Sequence, residues 1–307
     1  MFFKAYLAVV LCAVTAMTLP AQTFSTLVNF DTANGANPAL ESLVQGTDGN
    51  LYGTTSSGGP EGAYSGNAGT IFKVTPAGAM TLLHDFCVQI FCPDGGIPAA
   101  GLLQAGDGSF YGSTTEGGSN CSPNGCGTIF KITPTGALTT LYSFCAQPNC
   151  TDGETPSSWL IQATDGNFCG SKEYGGLTND GTIFKITPSG TLTTLHTFSG
   201  SDGANPIGGL MEGADGALYG TTEAGGLNVC SGPNGCGTLF KITLTGTLVT
   251  LHEFESTDGS NPSGGLIQAT NGVFYGTTNA GGEANTNCYT TCGTVFQITA
   301  DGELTTL

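Results

Sequence analysis

The sequence predicts an all-β fold in which one unit of about 50–59 residues is repeated five times. Three observations support this prediction. Glycine supplies 50 of the 307 residues, which is unfavourable for long helices. Two short motifs recur in a fixed order along the chain, and each unit contains four runs rich in β-branched or aromatic residues. Repetition at such a period is typical of proteins that stack similar supersecondary units.

The repeat is defined by two motifs that are independent of each other. A Tyr-Gly-Thr-Thr motif or a variant of it begins at Tyr52, Tyr111, Cys169, Tyr219 and Tyr275. A Gly-Thr-x-Phe motif begins at Gly69, Gly127, Gly181, Gly237 and Gly293. Successive spacings are 50–59 residues for the first motif and 54–58 residues for the second. Because the two periods agree, the length differences between units fall mainly in loops.

Each unit has the pattern of a four-stranded antiparallel blade, as the fourth unit illustrates. Asp215-Gly216 separates its first two runs, and such dipeptides favour a two-residue type I′ hairpin. A second tight turn, ending at Gly246, separates its last two runs. The four runs are 208–214, 217–223, 237–243 and 247–254. Five such units predict a five-bladed β-propeller of four-stranded antiparallel blades. A β-solenoid is the alternative, although its coils need only about 20–30 residues.

The N-terminal residues 1–22 have the pattern of a secretory signal peptide. Lys4 precedes an apolar run over 5–19, and small residues follow around Ala21. No other segment is long and apolar enough to span a bilayer, so we expect a secreted or cell-surface protein without a transmembrane segment after signal removal. The remaining residues, 23–307, are expected to form one domain. Residues 23–30 match the fourth strand of a unit, and we expect them to close the ring by pairing with 294–299.

The charge of the chain excludes several classes of partner. The chain has six lysines, no arginine and 23 acidic residues, which gives a formal net charge of −17 at pH 7. Proteins that bind nucleic acid need basic surfaces to neutralise phosphates, so nucleic acid is excluded as a partner. An anionic lipid surface is disfavoured for the same reason.

The repeated strings resemble a known family. The segments GGLIQATNGVFYGTTNAGG (264–282), CGTVFQIT (292–299) and TLTTLHTF (191–198) look like the Gloeo/Verruco (GloVer) tandem repeat of secreted bacterial proteins. The resemblance extends from about Thr23 to Leu307. It implies an exported bacterial repeat protein, often with an anchoring region, but no established chemistry. Since no anchor follows the last repeat here, we expect either free secretion or a repeat array that continues beyond Leu307.

Ten of the twelve cysteines fall into local pairs. In an exported protein such pairs predict disulfides. The pairs are Cys87/Cys92, Cys121/Cys126, Cys145/Cys150, Cys230/Cys236 and Cys288/Cys292. Two pairs could instead supply a four-thiolate zinc site, but C-x2-C spacing is absent and the pairs are assigned to different repeats. Cys169 stands where four other units have tyrosine, and we expect it to be a buried free thiol.

Neither the histidines nor the acidic residues single out a catalytic centre. His84, His196 and His252 occupy one repeat position, where the second unit has Tyr142, so we interpret them as packing residues. Aspartates recur in an Asp-Gly loop after each fourth strand, where Asp commonly bonds its own backbone. They are Asp94, Asp152, Asp202 and Asp258. We assign no catalytic residue, no metal site and no cofactor. Oxygen-rich loops suit calcium, but no D-x-[DN]-x-[DN]-G loop is present.

Antiparallel strand order predicts that the two ends of the blades differ. The hairpin turns lie at one end. The loops between strands two and three, and from strand four to the next unit, lie at the other end, which we call the loop face; it should carry all five cysteine pairs. The third unit departs most from the repeat, and exposed aromatics are expected on the loop face. The candidate ligand-binding residues are therefore Trp159, Lys172, Glu173, Tyr174, Tyr64 and Tyr289.

These observations predict a non-enzymatic binding or surface-structural module that presents its stapled loop face to a glycan, a polymer or a protein. One alternative is a propeller enzyme of the lyase or glycoside hydrolase type. The spacing of the turns is similar to that of streptogramin-lyase-type propellers, which implies a non-repeated His and Glu constellation with a divalent metal. Every histidine here is repeat-equivalent, which disfavours that alternative. Another alternative is a building block of an extracellular array.

Overall fold

The computed structural model describes residues 24–38, 43–60, 68–98, 100–120, 125–156, 158–228, 230, 235–282 and 292–307. The predicted signal peptide, 1–22, lies outside these residues. Within them the regular structure is β-strand apart from one 3-10 turn, Pro148–Cys150, so the all-β prediction is confirmed. A search of the same residues finds no helix with the length and apolar character needed to cross a membrane.

The strands are short and follow the repeat. They are β1 (Ala36–Pro38), β2 (Val44–Gln45), β3 (Leu51–Ser57), β4 (Thr70–Val74), β5 (Met80–Asp85), β6 (Leu103–Gln104), β7 (Phe110–Thr114), β8 (Thr128–Ile132), β9 (Leu138–Ser143), β10 (Ile161–Gln162), β11 (Phe168–Lys172), β12 (Thr182–Ile186), β13 (Leu192–Thr197), β14 (Met211–Glu212), β15 (Leu218–Thr222), β16 (Thr238–Ile242), β17 (Leu248–Glu253), β18 (Ile267–Gln268), β19 (Phe274–Thr277), β20 (Val295–Ile298) and β21 (Leu304–Thr306).

Five antiparallel sheets contain these strands, one for each predicted blade. Blades two to five have the strand orders β6-β7-β8-β9, β10-β11-β12-β13, β14-β15-β16-β17 and β18-β19-β20-β21. The first blade has β2, β3, β4 and β5 in the same order, and β1 also pairs with β3. The predicted five-bladed, four-stranded propeller architecture is confirmed.

The turn between strands one and two differs from the predicted type I′ hairpin. In the fourth blade the Gly213 amide donates to the Ala217 carbonyl, and the Gly216 amide donates to the Gly213 carbonyl. Gly216 has a φ of 75°, whereas Asp215 is not among the residues with positive φ. The Asp215 carboxylate accepts the Ala217 amide at 3.2 Å, which keeps Asp215 in an ordinary turn conformation. The connection is therefore longer than two residues.

The hydrophobic core lies between blades rather than within them. Four buried clusters each join residues of two successive blades. Between blades one and two, Tyr52 stacks on Phe110 with ring centroids 4.0 Å apart, and Phe86 packs edge-on against Phe130 at 5.4 Å. The same pairings recur at later interfaces, so the blades pack face to face in chain order.

The innermost strands face a common axis, and Trp159 lies beside it. A Cβ atom added to Gly209 or to Gly265, in blades four and five, would overlap the Trp159 indole. Trp159 also lines a cavity of about 370 Å³ together with Val44 and Leu102 of blades one and two. One side chain of blade three thus contacts or faces every other blade near the axis.

The N-terminal segment 24–30 lies against the first blade without forming a described strand. Phe30 packs edge-on against Phe72 at 5.0 Å, which repeats the pairing found between successive blades. Residues 24–30 therefore occupy the place of a fourth strand from a preceding blade. The edge of β20 that the closing strand was predicted to take is held by β21, which pairs Phe296 with Thr306.

Candidate functional site

The three disulfides that lie wholly within the described residues are in loops that the strand order places on the loop face. Cys87 is bonded to Cys92, Cys145 to Cys150, and Cys230 to Cys236. Cys126 and Cys292 are also disulfide-bonded, and their predicted partners Cys121 and Cys288 lie outside the described residues. The Sγ atoms of Cys126, before strand three, and of Cys145 and Cys150, after strand four, lie within 4.8 Å of one another. The two kinds of loop therefore meet at one end of the blades.

The histidines anchor the loops that leave strand four. His84 Nε2 lies 2.8 Å from an Asp94 carboxylate oxygen, and His196 and His252 make the same contact with Asp202 and Asp258 at 2.8 and 2.9 Å. In the second blade the Tyr142 hydroxyl donates to Asp152 at 2.8 Å instead. Each histidine ring also packs on the phenylalanine two residues later. Because the contact recurs in blades one to four and tyrosine can make it in place of histidine, the histidines have a structural role.

The structure separates the candidate ligand-binding residues of the third blade. Trp159 lies near the axis, as described above. Lys172 is completely buried between blades two and three, so it is not on a surface that a ligand could touch. Glu173 and Tyr174 remain on the loop face, where the Tyr174 side chain is 38% exposed. Tyr64 and Tyr289 lie outside the described residues.

Lys172 stands where the other four blades have threonine. Those threonines pair with a threonine of strand three at 2.8–2.9 Å, as Thr114 does with Thr128. Lys172 Nζ and Thr182 Oγ1 have no hydrogen-bond partner among the described residues. Nζ lies 4.2 Å from the centroid of the Phe144 ring and 5.0 Å from that of Phe184. Burial lowers the pKa of Lys172 to about 7.

Cys169 is a free and fully buried thiol, as predicted. Burial raises its pKa to about 12, and the thiol therefore stays protonated at neutral pH. It replaces the tyrosine ring that stacks on the next blade elsewhere. Its burial and its raised pKa both disfavour a nucleophilic role at this position.

A groove of about 490 Å³ lies on the loop face between blades three and four. Its wall carries the half-exposed Tyr174 ring, and its polar side chains come from Thr178, Asn179, Asp180 and Asn205. Glycines form much of the remaining lining: Gly200, Gly225, Gly226 and Gly235. These glycines leave the groove free of side chains along this part of its lining, and the Gly226 amide donates to the Gly200 carbonyl at 2.9 Å.

The groove is held in shape by local contacts. Asn179, whose φ is 67°, accepts the Gly175 amide through Oδ1 at 2.9 Å. Asn205, whose φ is 54°, donates from Nδ2 to the Glu173 carbonyl at 3.2 Å. Asparagine tolerates this left-handed backbone better than most residues do. These contacts fix the loop that carries Tyr174.

Two carboxylates of neighbouring blades interact beside this groove. Burial raises the pKa of Glu223, and the charge of Glu173 raises it further. The hydrogen bond to Glu173 raises the pKa of Tyr174, and the Glu173 charge adds to this effect. Glu173 was among the residues predicted from the sequence, whereas Glu223 was not. Glu173 and Glu223 each follow the four-residue Tyr-Gly-Thr-Thr motif of their blade directly. Extending the motif alignment by one residue would have shown that the two glutamates occupy the same position in successive blades.

Comparison with known proteins identifies the repeat. A family model described as the Gloeobacter/Verrucomicrobia repeat matches residues 11–231 and 121–307. No curated protein matches the chain.

Among solved structures the chain is similar to several propeller-type proteins. A candidate gluconolactonase is 15% identical with a TM-score of 0.43, over 76% of this chain and 79% of that chain. A candidate 6-phosphogluconolactonase from Bacteroides uniformis is 18% identical with a TM-score of 0.48, over 80% and 64%. A β-1,3-galactosidase of glycoside hydrolase family 43 is 10% identical with a TM-score of 0.47, over 85% and 57%. The chain spans less than two thirds of the latter two.

These likenesses are too distant to assign an activity to this chain. The family match, in contrast, covers nearly all of the repeats described above. The chain therefore belongs to the Gloeobacter/Verrucomicrobia repeat family.

Proposed function

We propose that this chain is a secreted, non-enzymatic binding protein whose loop face holds a glycan in the groove between the third and fourth blades. The half-exposed Tyr174 ring beside this groove is the observation that supports the proposal most strongly. An aromatic ring supplies a large, stiff apolar surface on which the C–H face of a sugar ring can lie. Secretion is supported by the predicted signal peptide and by the paired cysteines.

The polar lining suits the hydroxyl groups of a sugar. Asn179 and Asp180 bring amide and carboxylate groups to the groove, and the glycines of the lining leave room for a sugar ring beside them. A binding site of this kind combines an aromatic surface with a few polar groups that fix orientation. The disulfide Cys230–Cys236 restrains the neighbouring loop. A restrained loop loses less conformational entropy when a ligand binds.

The charge of the protein selects among glycans. A formal net charge of −17 repels an anionic polysaccharide at moderate ionic strength. We therefore expect a neutral polysaccharide, with acidic glycans bound weakly and more tightly as salt is raised.

Affinity electrophoresis and calorimetry against neutral and acidic polysaccharides test this proposal. We expect Tyr174→Ala to weaken binding of the preferred neutral polysaccharide at least tenfold. Glu116→Ala is the matched control, because Glu116 is exposed and holds the corresponding position of the second blade. Equal weakening by both variants, or no binding to any polysaccharide, would contradict the proposal.

Glycoside hydrolysis is the second candidate function, and the coupling of Glu173 with Glu223 favours it. Hydrolysis by paired carboxylates needs one acid that is protonated and one that is ionised at working pH. The raised pKa of Glu223 suits it to the general acid, and Glu173 of the neighbouring blade is the second carboxylate of the pair. Release of reducing ends from a bound polysaccharide, abolished by Glu223→Gln without loss of binding, would establish this function. Intact polysaccharide after prolonged incubation supports binding alone.

A further inference from the structure

We propose that the axis of the molecule holds a second binding site, for a small uncharged molecule that carries an aromatic ring. The site is the cavity of about 370 Å³ beside Trp159, which we call the axial cavity. Residues at or directly before the first strands of blades one, two and three line it, so it lies at the loop-face end of the axis. The inference does not depend on the glycan-binding function, because the groove beside Tyr174 lies between blades three and four.

The lining of the axial cavity is apolar. The side chains that form it are the Trp159 indole and the aliphatic groups of Val44, Leu102, Leu103, Leu160 and Ile161. Among these side chains the indole N–H is the only polar group. A charged guest would lose its hydration there without gaining partners, which is unfavourable. An uncharged apolar guest loses little hydration and gains packing contacts, and the volume of the cavity suits a small molecule.

The indole of Trp159 is fixed against backbone and is only partly covered. A Cβ atom added to Gly209 or to Gly265 would overlap its six-membered ring, so this ring lies directly on the backbone of blades four and five. Trp159 is nevertheless half-buried, and it lines the axial cavity. A rigid aromatic surface of this kind favours a second aromatic ring, which stacks on it or meets it edge-on.

The first residue of each first strand is apolar in all five blades, although none of these residues is fully buried. Packing against the neighbouring blade accounts for the covered part of each side chain. These residues are Val44, Leu103, Ile161 and Met211, which are half-buried, and Ile267, which is exposed. Three of the five meet in the axial cavity. Apolar surface that is grouped and left accessible is typical of binding sites.

Trp159 is the only tryptophan of the chain, so its fluorescence reports on the axial cavity directly. Toluene is the probe, and methylcyclohexane, a ring of the same size without aromatic character, is the comparison. We expect toluene to change the Trp159 emission saturably, with one site per chain, and to protect the indole from quenching by acrylamide. Toluene should bind at least threefold more tightly than methylcyclohexane, because only toluene can make an aromatic pair with the indole.

A substitution that fills the axial cavity should remove the site. Val44→Phe adds a ring to its wall, and we expect it to weaken toluene binding at least tenfold. Val249→Phe is the matched control, because Val249 is exposed on β17 in the fourth blade and is not among the residues that line the cavity. The control should bind toluene as the wild type does.

Three outcomes would overturn the proposal. The first is an emission that changes in proportion to toluene without saturating. The second is equal affinity for toluene and methylcyclohexane, and the third is equal weakening by Val44→Phe and Val249→Phe. If Val44→Phe does not fold, the wild-type protein decides, since unchanged acrylamide quenching in toluene-saturated buffer also contradicts the site. A failure of polysaccharide binding leaves these measurements unaffected.

Discussion

At the scale of single residues, Lys172 is the largest departure from the repeat. It places an amine where the other blades pair two threonine hydroxyls, and it leaves Thr182 Oγ1 without a partner among the described residues. Its Nζ contacts two aromatic rings, which partly offsets the cost of burying the charged form. We therefore expect Lys172 to lower the stability of the third blade.

Replacement of this lysine should stabilise the protein in a pH-dependent way. The pKa of Lys172 is about 7 in the folded state and about 10.4 when unfolded. Below pH 7 both states are protonated, and the folded state bears the full cost of the buried charge. Between these two values the unfolded state binds more protons, so wild-type stability rises with pH. Lys172→Thr should raise the free energy of unfolding by roughly 2–4 kcal/mol at pH 6, and this gain should shrink towards pH 10.

Urea denaturation at a series of pH values measures this effect. Lys185→Thr is the control, because Lys185 lies in the same blade, is part-exposed and pairs with Asp165. A gain for Lys172→Thr that is constant over pH 6–10, or a loss of stability at pH 6, would contradict the burial argument.

Residue chemistry could be predicted from the sequence only where the repeat itself was informative. The structural role of His84, His196 and His252 followed from their equivalence with Tyr142. Their aspartate partners could not be assigned, because a loop of variable length separates the two. The Glu173 and Glu223 pair belongs to two blades, and its proximity depends on how those blades pack.

At the scale of elements, the turn between strands one and two is fastened to strand three. In the second blade Asp107 accepts hydrogen bonds from the Tyr111 hydroxyl at 3.0 Å and from Lys131 Nζ at 2.7 Å. It also accepts the Ser109 amide at 2.9 Å. The hydrogen bond from Lys131 holds the pKa of Asp107 below its usual value. One carboxylate thus joins the turn to strands two and three of the blade.

Removal of this carboxylate should weaken the blade and its acid resistance. Asp107→Ala should lower the free energy of unfolding by about 1–2 kcal/mol at pH 7. Because the folded-state pKa is lowered, the contribution is present above the unfolded value of about 3.9 and is lost as pH falls through the folded value. The variant and the wild type should therefore converge at low pH. Thermal denaturation scans measure the effect. Asp301→Ala is the control, because Asp301 lies at an exposed turn of the last blade. An equal loss of stability in both variants would contradict the proposed role of Asp107.

The order of strands could be predicted, but the detail of the elements could not. Alternating apolar runs and the two glycine turns gave four antiparallel strands per blade, as observed. The type I′ assignment was wrong because the Asp215 side chain accepts the Ala217 amide and stabilises a longer turn. Strand one is reduced to two residues, such as Met211–Glu212, although the run 208–214 suggested more.

At the scale of the whole molecule, the blades are held together by interfaces that repeat and by one side chain that does not. Tyrosine and phenylalanine stacking recurs from blade to blade. Trp159 is the only tryptophan of the chain, and it extends from blade three over Gly209 and Gly265. Its indole fills space near the axis that the glycines of the other blades leave free.

Truncation of this side chain should loosen the centre of the molecule. Trp159→Gly restores the glycine that the second, fourth and fifth repeats have at this position but removes the indole packed on Gly209. We expect the free energy of unfolding to fall by about 2–4 kcal/mol. Urea denaturation monitored by circular dichroism measures this change. Trp159→Phe should recover part of that loss. Unchanged stability in Trp159→Gly would show that the indole does not support the packing of the blades.

The arrangement of the ends was the least predictable part of the fold. The match of 23–30 to a fourth strand was informative, since Phe30 makes the contact with Phe72 that such a strand makes. The sequence alone could not decide which segment pairs with β20, because residues 304–306 carry the same strand pattern. Closure of the ring by residues 23–30 stays a prediction.

The central claim is that the groove between the third and fourth blades is the binding site. Hydrogen-exchange mass spectrometry with and without the preferred neutral polysaccharide tests it most directly. We expect slower exchange in 174–180, 200–205 and 224–226, and unchanged exchange in the hairpin turns at the opposite end, such as 213–217. Protection confined to those turns, or spread evenly over all five blades, would contradict the account.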